Sequence, residues 1–148
     1  MDLFKNENCE NLLLRIENLS KNSKKQWGNL SHEQMLAHCS KVLNVALNHY
    51  EKQLFIGKLF GKFVVKGILK NKTEMKHGIK SSKILFEEFP RSIEEEKESL
   101  TSNLKKFHEK GSAFFENKLH PFFGRLTSSE WSELTYRHLN HHLSQFSC

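Results

Sequence analysis

Long apolar runs are missing from this chain, and so are most of the residues that interrupt helices. Nowhere do its 148 residues approach the ~20 consecutive apolar side chains that a membrane-spanning helix requires. The first residues, Met1 to Glu7, lack the apolar core of a secretory signal. Only two prolines and seven glycines punctuate the sequence, which favours long helices over many short strands. Three cysteines, Cys9, Cys39 and Cys148, form no CxxC pair and cannot all be joined in disulfides. Free thiols and a cytoplasmic location are the expectation. Arginine is scarce, with four residues against a formal net charge of +6. Lysine spread along the chain supplies most of that charge. Arginine is the usual fork for phosphates and base edges, and no nucleic-acid-binding motif accompanies the charge. No specific nucleic-acid partner is therefore expected.

What is present is enough for a core. Hydrophobic residues make up 37 % of the chain and twelve are phenylalanine, a composition that fits one helical domain over residues 1–148. Four helical patterns stand out. The first runs from about Glu7 to Leu19, with Leu12, Leu13, Ile16 and Leu19 as its stripe. The second begins at a capping box, Ser31 with Gln34, and is expected to reach about Leu54. The third opens on Ser92 with Glu95, places Ile93, Leu100, Leu104 and Phe107 on one face, and meets a natural stop at Gly111. The fourth opens on Thr127 with Glu130 and extends to about Phe146. No run alternates apolar and polar residues for long enough to place a strand. Four helices with a long connection over residues 55–91 read as an all-α four-helix bundle with a crossover between its second and third helices.

Histidine is the unusual component, with nine residues. At about 100° per residue, Trp131, Leu134, His138, His142 and Gln145 share one face of the last helix. That inward face changes halfway along from Trp and Leu to imidazoles. His138 and His142, four apart, stand on adjacent turns and suit a single metal ion, with His141 close enough in angle to compete. The second helix offers His38 at the edge of its inner stripe of Met35, Cys39, Val42 and Ala46. His49 lies eleven residues further on, roughly 16 Å along the axis at ~1.5 Å per residue, too far to share a site with His38. His32, His77, His108 and His120 fall at caps, loops or turns, where solvent exposure is expected. Cys39 is expected to be a small core residue, and Glu94-Glu95-Glu96 to complement the dipole of the third helix.

Two longer runs resemble a known family. Trp27-Gly28-Asn29-Leu30-Ser31, leading into Met35-Leu36-Ala37-His38-Cys39, is similar to the start of the second helix in DinB-like (DinB/YfiT) metal-binding proteins, and in particular to their branch of unknown function. The segment His120-Pro121-Phe122-Phe123-Gly124-Arg125-Leu126-Thr127, followed by Glu130-Trp131, leads to Tyr136-Arg137-His138-Leu139-Asn140-His141-His142-Leu143-Ser144-Gln145-Phe146. Its H-x-x-H-H-x-x-Q core resembles the last-helix signature of that superfamily. The resemblance implies a four-helix bundle in which three histidines, His38, His138 and His142, hold one divalent metal ion. About chemistry the resemblance implies less: relatives include transferases and isomerases that use mycothiol or bacillithiol, besides many members with no established activity.

The expected function is that of a divalent-metal-binding protein acting on a small molecule, as a metal-dependent hydrolase or a thiol-dependent transferase. Three neutral nitrogen donors suit zinc, nickel or ferrous iron. Gln145 and His141 are expected to support the ligands from behind. Glu33 is a candidate general base, but no catalytic residue is assigned. A homodimer is the candidate assembly. The alternative is a non-enzymatic protein acting at a membrane surface or on a partner through residues 55–70. There Lys58, Lys62, Lys66 and Lys70 recur every four residues among Phe, Val, Ile and Leu. The arrangement favoured for that segment is a crossover packed over the bundle with its lysine stripe in water, and on that basis no membrane partner is expected.

Overall fold

Three of the helices begin where a side-chain oxygen can accept the first free backbone N–H. In the computed structural model, which describes residues 1–70, 75, 85 and 89–148, capping boxes form at Ser31–Gln34, Ser92–Glu95 and Thr127–Glu130. In each, the cap hydroxyl takes the N–H three residues on, and the acidic or amide side chain there returns to the cap residue's own N–H. The helices are α1 (Asn6–Asn18), α2 (His32–Leu47), α3 (Phe55–Lys70), α4 (Ile93–Phe115) and α5 (Ser128–Ser144). Between α4 and α5 lies a two-stranded antiparallel hairpin, β1 (Lys118–His120) and β2 (Gly124–Leu126), with Leu119 opposite Arg125. The described chain is thus mostly helical, in keeping with its few prolines and glycines.

Apolar residues of α1, α2, α4 and α5 meet in one buried cluster, with Val65 of α3 joining it at the edge. Leu12 and Ile16 of α1, Leu36 and Leu43 of α2, Leu100, Leu104 and Phe107 of α4, and Trp131, Leu139 and Leu143 of α5 all belong to it. α2 packs most extensively on α4. One polar seam crosses that contact: Asn103 donates to the Ser40 hydroxyl at 2.8 Å, and Ser40 pairs with Ser99 at 2.9 Å. Cys39 is buried in the cluster, and burial pushes its thiol pKa far up, so it is a neutral core residue. α4 is broken at Gly111, whose φ of 67° no helical residue adopts, before a last turn ends at Phe115.

Three expectations are corrected. α2 ends at Leu47 rather than near Leu54, because the next residues carry no apolar stripe to bury and Lys118 intercepts the helix end. Its ammonium donates to the Asn48 carbonyl at 2.7 Å and reaches that of Leu47 at 3.5 Å. The hairpin was not expected, since strands of three residues are too short to display alternation. It is held by Trp131, whose indole donates to the Lys118 carbonyl, and by His120, whose Nδ1 accepts from the Phe122 and Phe123 amides, each at 3.0 Å. His32, His108 and His120 are not solvent-exposed imidazoles but half-buried and hydrogen-bonded; His77 lies outside the described residues.

α3 keeps its lysine stripe, Lys58, Lys62, Lys66 and Lys70, in water as expected. It does not turn its bulky side chains to the core. Gly57, Gly61 and Val65 form its buried stripe, while Phe55 and Phe63 stand 75 % and 82 % exposed. The two glycines lie so close to the hairpin turn that a Cβ at either would collide with the Phe122 carbonyl. Among the described residues, no helix is long and apolar enough to cross a membrane.

Candidate metal centre

α2 and α5 bring three imidazoles together. His38 on α2 meets His138 and His142 on α5, with ring centroids 5.0 and 4.8 Å away, and the two α5 rings are 4.5 Å apart. One ring nitrogen from each lies within 4.8 Å of the others. His38 is almost fully buried, and the α5 pair is partly buried.

Hydrogen bonds decide which nitrogens face inward. His38 Nδ1 donates to the Leu85 carbonyl at 3.0 Å, and His142 Nδ1 donates to Gln145 Oε1 at 2.8 Å. Each of these rings therefore keeps a lone pair on Nε2. His38 Nε2 is 3.0 Å from His138 Nε2. Two lone pairs cannot face each other at that distance unless a proton or a cation lies between them. Zinc–nitrogen bonds of ~2.0–2.1 Å at tetrahedral angles place two donor atoms about 3.3 Å apart, close to the spacing found here. His138 Nδ1 is buried with no hydrogen-bond partner among the described residues. The residues present fit a divalent ion.

Electrostatics keeps the three rings in the form that binds metal. Burial lowers the His38 pKa, with Lys41 adding to the shift and the Leu85 bond opposing it. Burial, then the charge each neighbouring histidine would carry, holds His138 well below the ordinary histidine range. Burial pushes His142 down to about 3. At neutral pH all three are uncharged.

Of the flanking residues named from sequence, Gln145 sits directly behind His142, whereas His141 stands aside. The His141 ring is 5.2 Å from that of His142 and 6.0 Å from Trp27, and it is not one of the three clustered ligands. His49 is exposed and lines a separate depression of about 450 Å³ with Tyr50, Lys118 and Arg125. Glu33 is occupied at the start of α2, where its carboxylate accepts from the Ser31 hydroxyl.

Two supporting groups escaped the sequence reading. The Leu85 carbonyl is a backbone group far away in the chain, and no side-chain pattern marks it. Gly28 left a signal, a glycine just ahead of a capped helix. Its φ is +83°, and a Cβ there would come within 2.8 Å of Gln145 Nε2. The Gln26 amide donates to the Gln145 carbonyl at 2.7 Å, so the loop before α2 holds Gln145 from two sides.

Comparison with curated proteins and with solved structures finds no match. One family model spans almost the whole sequence, and across residues 2–148 the chain belongs to DUF1569, a family described as proteins of unknown function.

Proposed function

We propose that this protein holds one divalent metal ion between His38, His138 and His142 and uses it to activate a small-molecule reaction. The observation that carries the reading is the meeting of three imidazoles, one ring nitrogen of each within 4.8 Å of the others, two of them with the Nδ1 proton given to a fixed acceptor. Three protein ligands leave coordination positions open, the pattern of catalytic rather than structural sites. When bound, such an ion lowers the pKa of a water or thiol it contacts, or polarises a carbonyl. The chain's own residues orient and shield: Gln145 and the Leu85 carbonyl fix two tautomers, and burial keeps the rings neutral.

Within this reading α1, α2, α4 and α5 are the four helices of a DinB/YfiT-like bundle, with α3 on the crossover between the second and third. A metal-dependent hydrolase or a thiol-dependent transferase is the corresponding activity, and zinc, nickel and ferrous iron are the candidate ions. Elemental analysis of purified protein tests the site. About one ion per chain is expected for the native protein, with loss of metal in His38→Ala and His142→Ala while the helical circular-dichroism signal persists. Undiminished metal in the triple alanine variant would refute the assignment.

A further inference from the structure

α3 turns outward what helices of globular proteins ordinarily bury. Phe55, Ile56, Leu59, Phe60 and Phe63 are all more than half exposed. At 100° per residue they span one arc of the helix, opposite the buried Gly57, Gly61 and Val65. Lys58, Lys62, Lys66 and Lys70 form an exposed stripe that overlaps one edge of that arc. Residues 55–70 contain no aspartate or glutamate. The helix is fastened from behind: Gly57 and Gly61 seat on the Phe122 backbone, Lys62 reaches the Arg125 carbonyl, and Arg137 donates to the Ile68 carbonyl at 3.0 Å.

We propose that α3 is a docking helix for an anionic lipid surface, lying in the plane of the bilayer with its phenylalanines in the acyl boundary. The charge pattern selects this occupant. A two-fold contact between copies through the same face would bring both lysine stripes into one interface, with no carboxylate in α3 to answer them. A bilayer rich in anionic headgroups offers phosphates and carboxylates at the level that snorkelling lysines reach, and hydrocarbon immediately below. An exposed apolar face with cations along one edge, on a helix fastened from behind, fits that boundary. The proposal is independent of the metal site, whose residues lie on α2 and α5.

Co-sedimentation of the full chain with vesicles tests it. Binding is expected to phosphatidylcholine vesicles containing roughly a third phosphatidylserine, with little binding to phosphatidylcholine alone. It should weaken when ionic strength rises to about 0.5 M, where screening acts over a few Å. Replacing the outward residues together, Leu59→Ser with Phe63→Ser, should lower partitioning about tenfold or more, and Lys58→Glu with Lys66→Glu should do likewise. These side chains are exposed, so the helical signal and metal content should be unchanged, which separates failure of docking from failure of the fold or the site. No binding to anionic vesicles at low salt, or equal binding by the serine variant, would overturn the proposal. So would a dimer in sedimentation velocity that Phe63→Ser dissociates, because a second copy would then be the occupant.

Discussion

Gln145 and Gly28 form a pair whose roles appear only when both are seen together. The amide oxygen of Gln145 holds the His142 proton on Nδ1, and the absent Cβ of Gly28 leaves the amide room to do so. Gln145→Ala should therefore weaken metal binding by roughly 10–100-fold without unfolding the protein, as loss of a group behind a ligating histidine typically does. Gly28→Ala should act in the same direction through displacement of Gln145, with added strain at a positive φ. Chelator competition titrations measure both; equal affinities in native protein and Gln145→Ala would leave the amide no orienting role. His120 supplies a second test. Burial holds its pKa at about 4, and its Nδ1 lone pair is engaged by two amides. The unfolded chain takes up that proton near pH 6.5, the folded chain only near 4, so the folded state loses stability as pH falls through this window and keeps it fully above. The loss from this residue is roughly 3 kcal/mol across the window. Asparagine can accept from the same amides without titrating there, so His120→Asn should flatten the pH dependence of urea unfolding between those limits.

Helices are where residue chemistry was most legible, and their starts more than their ends. Ser31, Ser92 and Thr127 announce three N-termini because a cap is a local exchange of hydrogen bonds. The end of α2 is set by Lys118, seventy residues away from Asn48 in the chain, and no local signal encodes it. The same distinction runs through the site. His138 and His142 are readable from a spacing of four on one helix, whereas choosing His38 over His49 drew on resemblance to a family, because it depends on how α2 and α5 face each other. α3 was legible in part: its periodicity located the lysine stripe, but not which arc the glycines would press against Phe122. Removing the cap of α5 by Thr127→Ala should cost about 1 kcal/mol, equivalent to roughly 3 °C in thermal melting. Gly61→Leu should have a different signature. It should release α3 from the hairpin turn while leaving the buried cluster of the other helices, so limited proteolysis should cut near residues 55–70 before the protein melts.

Across the whole molecule, the metal and the fold should be linked. An ion bound only by the folded chain stabilises it by mass action, about 2.7 kcal/mol at a hundredfold excess over the dissociation constant. Melting temperature should rise with added zinc, nickel or ferrous iron and fall back on chelation, and the shift should vanish in His38→Ala. A shift that persists in that variant would place the ion elsewhere. Acid should act on the same linkage: burial lowers the pKa of all three imidazoles, so protons compete for the ligand nitrogens less than they would at exposed histidines. Metal should therefore be retained on lowering pH through the ordinary histidine range, as chelator competition at about pH 7 and below about pH 6.5 would measure.

The neutrality of the three imidazoles has a further bearing on what the protein can accept. Ligand sets containing carboxylates or thiolates cancel part of a divalent ion's charge, whereas three uncharged rings cancel none. An ion held there keeps its full double positive charge, in a chain that already carries a net +6. Whatever completes such a coordination sphere is selected for negative charge. Small anions such as azide, cyanide or a simple thiolate should compete for that place, and a cationic molecule of the same size should be turned away.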